Sequence, residues 1–173
     1  MNRITAALAA ACLAGLAQAA SLPTDEPLDP DKAFRPSARL VAGEPSPTAG
    51  TERHGIDIEY RIAPGYYLYR SRLRFEVSPA SLLIGTPELP AGIEVDDPFI
   101  GKSAIFRERV TIHLPFVVSI AKPGTYKVKI VAQGCAEERI CYSPFPQEVV
   151  VNIPPGYRVT DSPGLPAARN GPR

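Results

Sequence analysis

Apolar and polar residues alternate over Ile56–Ile62, where Ile56, Ile58, Tyr60 and Ile62 are interleaved with Asp57, Glu59 and Arg61. A period of two belongs to a strand with one face buried and the other in water. The same alternation runs through Val110, Ile112 and Leu114 against Thr111 and His113, and through Tyr126, Val128 and Ile130 against Lys127 and Lys129. Val149–Ile153 adds a final β-branched run. His113 falls on the polar phase of its strand and is expected in solvent. Turn signals separate these segments: Pro64-Gly65, Ser78-Pro79, Pro90-Ala91-Gly92 and Lys122-Pro123-Gly124. No stretch of about ten residues or more carries a 3.6-residue period. Short strands punctuated in this way predict an all-β fold, an immunoglobulin-like antiparallel β-sandwich. The 20 prolines agree, because proline is tolerated at turns and sheet edges but not inside helices.

The ends of the chain have a different character. Met1-Asn2-Arg3 carries one positive charge, Ile4–Ala20 carries none, and Ala17-Gln18-Ala19 is a small-residue cleavage pattern. Residues 1–19 therefore read as a secretory signal peptide, too short and too alanine-rich for a membrane span. Cys12 follows Ala9-Ala10-Ala11 rather than a large aliphatic residue, so it is expected to leave with the signal and not to be lipidated. Residues 20–32 read as a flexible, Pro- and acid-rich leader, 33–157 as the folded unit, and 158–173 as a disordered tail. No second long apolar run follows, so no membrane span is expected in the mature chain. With Arg3 removed, 18 basic residues face 18 acidic ones and no basic stripe is visible, which argues against a nucleic-acid partner.

The mature chain keeps two cysteines, Cys135 and Cys141, which in an oxidising compartment are expected to pair. A hairpin reversing within Ala136–Arg139 would bring the sulfurs together across neighbouring strands. A loop this short contributes about 2–2.5 kcal/mol of chain entropy, against about 4–5 kcal/mol for one of 100 residues. The residues alone leave a redox-active pair and a local staple equally open. A metal site is a third option, but zinc frameworks need four ligands and the mature chain offers the two cysteines, His54 and His113 without a companion cluster. The motifs of serine hydrolases, phosphate-binding loops and metal helices are absent, so the chemistry is expected to belong to sulfur.

Three segments carry a resemblance: Gly65-Tyr66-Tyr67-Leu68-Tyr69-Arg70, Asp97-Pro98-Phe99-Ile100-Gly101-Lys102-Ser103-Ala104-Ile105-Phe106-Arg107, and Gln133-Gly134-Cys135 leading through Cys141-Tyr142 to Pro144. In order and spacing they are similar to the N-terminal periplasmic domain family of the DsbD-type thiol:disulfide interchange proteins. The resemblance implies a periplasmic thiol:disulfide oxidoreductase domain that relays electrons between thioredoxin-like partners. These are a donor and, as acceptors, a disulfide isomerase or a protein of cytochrome c maturation. It implies that Cys141 forms the mixed disulfide with partners and that Cys135 resolves it by thiolate attack on sulfur. It implies that Phe99 caps the cysteines, that Tyr67 and Tyr69 lie beside them, and that Asp97 assists proton transfer.

No cofactor beyond the cysteines is expected, and no bound metal. Pro98 stands where a second carboxylate beside Asp97 would be expected, which weakens any paired-acid tuning. The family protein continues into a membrane domain and a thioredoxin-like domain, whereas this chain ends at Arg173, so a separate donor is expected. The rival reading is a non-catalytic periplasmic binding or adaptor module with a structural disulfide.

Overall fold

The computed structural model describes residues 26–45, 52–82, 84–97, 100–117 and 122–157. The expected signal peptide with Cys12, the expected tail, Pro98 and Phe99 lie outside the described residues. The alternating segments form long antiparallel strands. β1 (Phe34–Pro45) pairs with β2 (Glu52–Ile62), and β2 with β7 (Arg109–Pro115), giving a three-stranded sheet. A second three-stranded sheet runs in the order β11 (Phe145–Ile153), β8 (Gly124–Ala132), β4 (Arg74–Ser78).

Ile56, Ile58 and Tyr60 from the first sheet share one core with Tyr126, Val128, Ile130, Val149 and Val151 from the second. The polar phases of the same strands face outward, as period-two patterning requires. This is the expected immunoglobulin-like sandwich, with antiparallel pairing throughout; among the described residues helix is confined to a four-residue α-turn, Pro30–Ala33, and a three-residue 3-10 turn, Arg70–Arg72.

A third, five-stranded sheet has the order β10 (Ile140–Cys141), β9 (Gly134–Ala136), β3 (Tyr66–Tyr69), β6 (Gly101–Phe106), β5 (Ile93–Asp97). Its strands are short; the central β3 and β9 are buried almost throughout, while the edge strands β5 and β10 are more exposed. Leu68 and Phe106 point into the main core, while their neighbours Tyr67, Tyr69 and Ile105 point the other way and enclose Cys135 in a second cluster. Gly134 allows β9 to lie this close to β3. A Cβ there would run into the Tyr67 carbonyl oxygen and come within 2.7 Å of the Phe34 ring.

Two expectations change at the periphery. His113 is not solvated: it is 4% exposed, and its Nδ1 lies 2.7 Å from Asp57 Oδ1. Asp57 is directly opposite in register, and Gly55, without a side chain, leaves room for the imidazole. The phase of the strand is as read, but cross-strand partners cover this outer-face position. Contacts with the sandwich also begin ahead of residue 33. The Leu28 N–H donates to Tyr66 Oη (2.7 Å), and Tyr142 Oη donates to the Leu28 carbonyl (2.5 Å). The Pro30–Ala33 turn then delivers Ala33 and Phe34 fully buried into the core.

Candidate functional site

Cys135 sits on β9 and Cys141 on β10, directly opposite one another, and their sulfurs are bonded. The chain reverses through Glu137–Arg139, with the Arg139 N–H donating to the Ala136 carbonyl. Glu138 has φ 59°, in the left-handed region that residues with a Cβ seldom adopt. The two sulfurs meet different surroundings. Cys135 is 1% exposed among Tyr67, Tyr69 and Ile105, whereas Cys141, on the edge strand, is partly exposed.

β3 sets the aromatic wall. Tyr67 is in register with Cys135, and alternation puts Tyr69 on the same face two residues on. Their rings meet edge to face at 5.4 Å. Both hydroxyls donate to Asp97 Oδ2, at 2.7 Å from Tyr67 and 2.8 Å from Tyr69, and the Ile100 N–H donates to Asp97 Oδ1 at 3.2 Å. Asp97 ends β5 and is 5% exposed. Tyr69 Oη is also 3.3 Å from Cys135 Sγ and 3.7 Å from Cys141 Sγ. A hydroxyl has one proton, and here it points to Asp97. The oxygen lone pairs therefore face the sulfurs and can accept from a thiol once the disulfide opens.

Burial pushes both phenols upward. For Tyr69, hydrogen bonding with Tyr67 and the Asp97 carboxylate act in the same direction; for Tyr67, Asp97 raises and Arg107 lowers. Both tyrosines are neutral donors at physiological pH.

The structure thus brings together Cys135, Cys141, Tyr67, Tyr69 and Asp97 in one cluster. It also reveals two participants to which the sequence reading gave no role. Arg107, just after β6, forks onto Glu137 and lies 5.3 Å from the Tyr67 ring centroid. An arginine closing one motif and an acidic turn inside the cysteine loop were the available signals, but their pairing spans 30 residues.

Residues 24–153 match the family model "Thiol:disulfide interchange protein DsbD, N-terminal". The chain is 36% identical over 121 residues to the thiol:disulfide interchange protein DsbD of Cronobacter sakazakii, covering 69% of this chain and 20% of that one. It is 30% identical over 162 residues to the DsbD of Neisseria meningitidis serogroup A, covering 89% of this chain and 25% of that one. It thus spans about a quarter or less of the length of these curated relatives.

Among solved structures, the reduced N-terminal domain of Neisseria meningitidis DsbD is similar at 31% identity with a TM-score of 0.57, over 73% of this chain and 89% of that one. A structure of the complex between the DsbD N-terminal and PilB N-terminal domains of the same organism is similar at 28% identity with a TM-score of 0.55. That match covers 78% of this chain and 88% of the other. Among the described residues no helix is long and apolar enough to cross a membrane.

Proposed function

Because the chain belongs to the family of N-terminal domains of the thiol:disulfide interchange protein DsbD, we propose that it relays reducing equivalents in the periplasm between thioredoxin-fold partners through Cys135 and Cys141. The observation that carries this reading is the asymmetry of the bonded pair, with Cys135 buried and Cys141 partly exposed on an edge strand. A permanent staple needs no exposed sulfur, whereas exchange needs one sulfur within reach of an incoming thiol. The complex of a relative with the PilB N-terminal domain supports docking of a partner domain.

In the reducing direction, the Cys141 thiolate attacks a partner disulfide. One S–S bond breaks, one partner thiolate leaves, and a mixed disulfide forms. The Cys135 thiol then gives its proton to the Tyr69–Asp97 side, and the thiolate attacks Cys141 Sγ. The intramolecular disulfide closes and the partner's second sulfur departs, to be protonated. Two electrons have passed to the partner, and a donor dithiol reverses the sequence. Tyr69 bridges sulfur and carboxylate in this scheme, Tyr67 holds the carboxylate from the same side, and Phe99 shields the pair between encounters.

Cys135→Ser should trap a mixed disulfide with a thioredoxin-fold domain, and Cys141→Ser should abolish trapping; equal trapping by both would reject the assigned roles. Phe99→Ala should speed alkylation of the reduced protein, and an unchanged rate would remove the cap. A reduction potential above about −300 mV fits exchange, whereas a lower value with a bond that resists partner thiols fits the adaptor reading.

A further inference from the structure

The geometry points to Arg107 as a positioning residue that keeps the Cys135–Cys141 turn closed when the disulfide is open. This inference rests on the exchange reading above. Arg107 Nη1 and Nη2 donate to Glu137 Oε2 and Oε1 at 3.0 and 2.7 Å, a bidentate fork. The same guanidinium lies 5.3 Å from the centre of the Tyr67 ring. Glu137 is inside the turn between the cysteines, and its N–H donates to the Gly65 carbonyl at 2.8 Å. Tyr67 is opposite Cys135 and holds Asp97. One cation therefore ties the loop that carries Cys141 to the wall that carries the carboxylate.

The turn needs such a tie. β9 and β10 share two residue pairs, and one of these is the cysteine pair itself. Glu138 holds the turn in a left-handed conformation that its Cβ disfavours. In the oxidised protein the S–S bond enforces closure. After reduction that bond is gone, and the fork with its aromatic contact is a side-chain restraint that remains on the loop.

A restraint that pre-orders the reduced loop raises the effective concentration of one sulfur toward the other. It thereby favours disulfide closure over the open dithiol and speeds attack by Cys135 on a mixed disulfide at Cys141. A planar fork is specific to arginine, since lysine offers a point charge without paired donors.

The test equilibrates the chain lacking residues 1–19, which carry Cys12, with glutathione buffers. The protein dithiol reduces glutathione disulfide to a pair of thiols while its own disulfide closes, so atoms and electrons balance. Arg107→Ala should lower the equilibrium constant for closure about three- to tenfold. It should also lengthen the life of the glutathione mixed disulfide. Glu137→Gln, a change on the surface, should act in the same direction and serves if Arg107→Ala fails to fold. The two changes together should cost less than the sum of each, and Arg107→Lys should restore only part. A loss of general stability would not move the closure constant in this pattern. If the wild-type protein does not exchange with glutathione, the exchange reading falls and this inference with it. If it exchanges normally but Arg107→Ala and Glu137→Gln leave the closure constant unchanged, the positioning role alone is wrong.

Discussion

Two buried carboxylates stand on different sheets of this protein and accept from different kinds of donor. Asp57, 2% exposed on β2, meets Arg39 Nη2 at 2.5 Å, Arg53 Nη2 at 3.3 Å and His113 Nδ1 at 2.7 Å. Arg39 and His113 are its register partners on the flanking strands, so the row is built by the sheet itself. Asp97 takes two phenol hydroxyls and a backbone N–H, and one of those phenols touches both sulfurs. A carboxylate gripped by guanidinium and imidazole groups is a joint that ties neighbouring strands together. A carboxylate reached through hydroxyls sits at the end of a chain of groups that can each pass a proton. Burial of an acid therefore does not by itself mark a reactive site; the identity of the donors separates scaffold from chemistry.

The largest effect is expected at Asp57. Asp57→Ala strands the facing His113 and both arginines and should lower stability by about 3 kcal/mol or more in urea unfolding. Its exchange rate with glutathione should stay within about twofold of wild type. A comparable loss of exchange would mean that the two carboxylates are not separable. At the other pole, Tyr69→Phe removes the bridge between sulfur and Asp97. It should slow resolution of the mixed disulfide at least about tenfold, with a stability change near 1 kcal/mol. Stopped-flow kinetics at several pH values decide this, because loss of a proton acceptor steepens the dependence on pH whereas simple loosening does not.

Smaller effects sharpen the picture. Tyr142→Phe removes the hydroxyl that donates to the Leu28 carbonyl. It should cost about 1 kcal/mol or less and raise amide exchange around residues 28–33 before anything else. Burial also pushes Tyr142 and Tyr157 up to about 12. A phenol raised above its unfolded value near 10 stabilises the fold fully below pH 10, and that contribution is lost as pH rises toward 12. The urea midpoint should therefore fall between pH 10 and 12, and Tyr157→Phe should flatten part of the fall. A midpoint constant across that window would show that these phenols ionise as freely in the folded chain as in the unfolded one.

Much of this was legible in the sequence, for reasons that are themselves physical. Ile56–Ile62, Val110–Leu114, Tyr126–Ile130 and Val149–Ile153 all lie in strands, because one-sided burial writes a period of two. The reversal between the cysteines falls where short and charged residues allowed it. The short strands were harder to read: in β3 and β9 near-complete burial erases alternation, and β5 and β6 bury only their ends, too few residues to show a period. His113 was misplaced because phase tells which face a residue occupies, not what covers that face. The Arg107–Glu137 fork was hidden by distance along the chain. The leader's anchorage at Leu28 left no signal, because it is made through backbone atoms that any residue would offer.

That anchorage has a mechanical consequence. The Leu28 backbone is gripped by Tyr66, which flanks the cysteine hairpin, and by Tyr142, the residue next to Cys141. Load applied to the chain at Leu28 is thus shared with groups beside the partly exposed Cys141. Tension there tests the two hydroxyl bonds beside the hairpin before it tests the long sheets. A force-clamp experiment pulling from residue 28 should then alter disulfide cleavage at lower force than one pulling from Tyr157, which is moored to Val41 at the far end of β1.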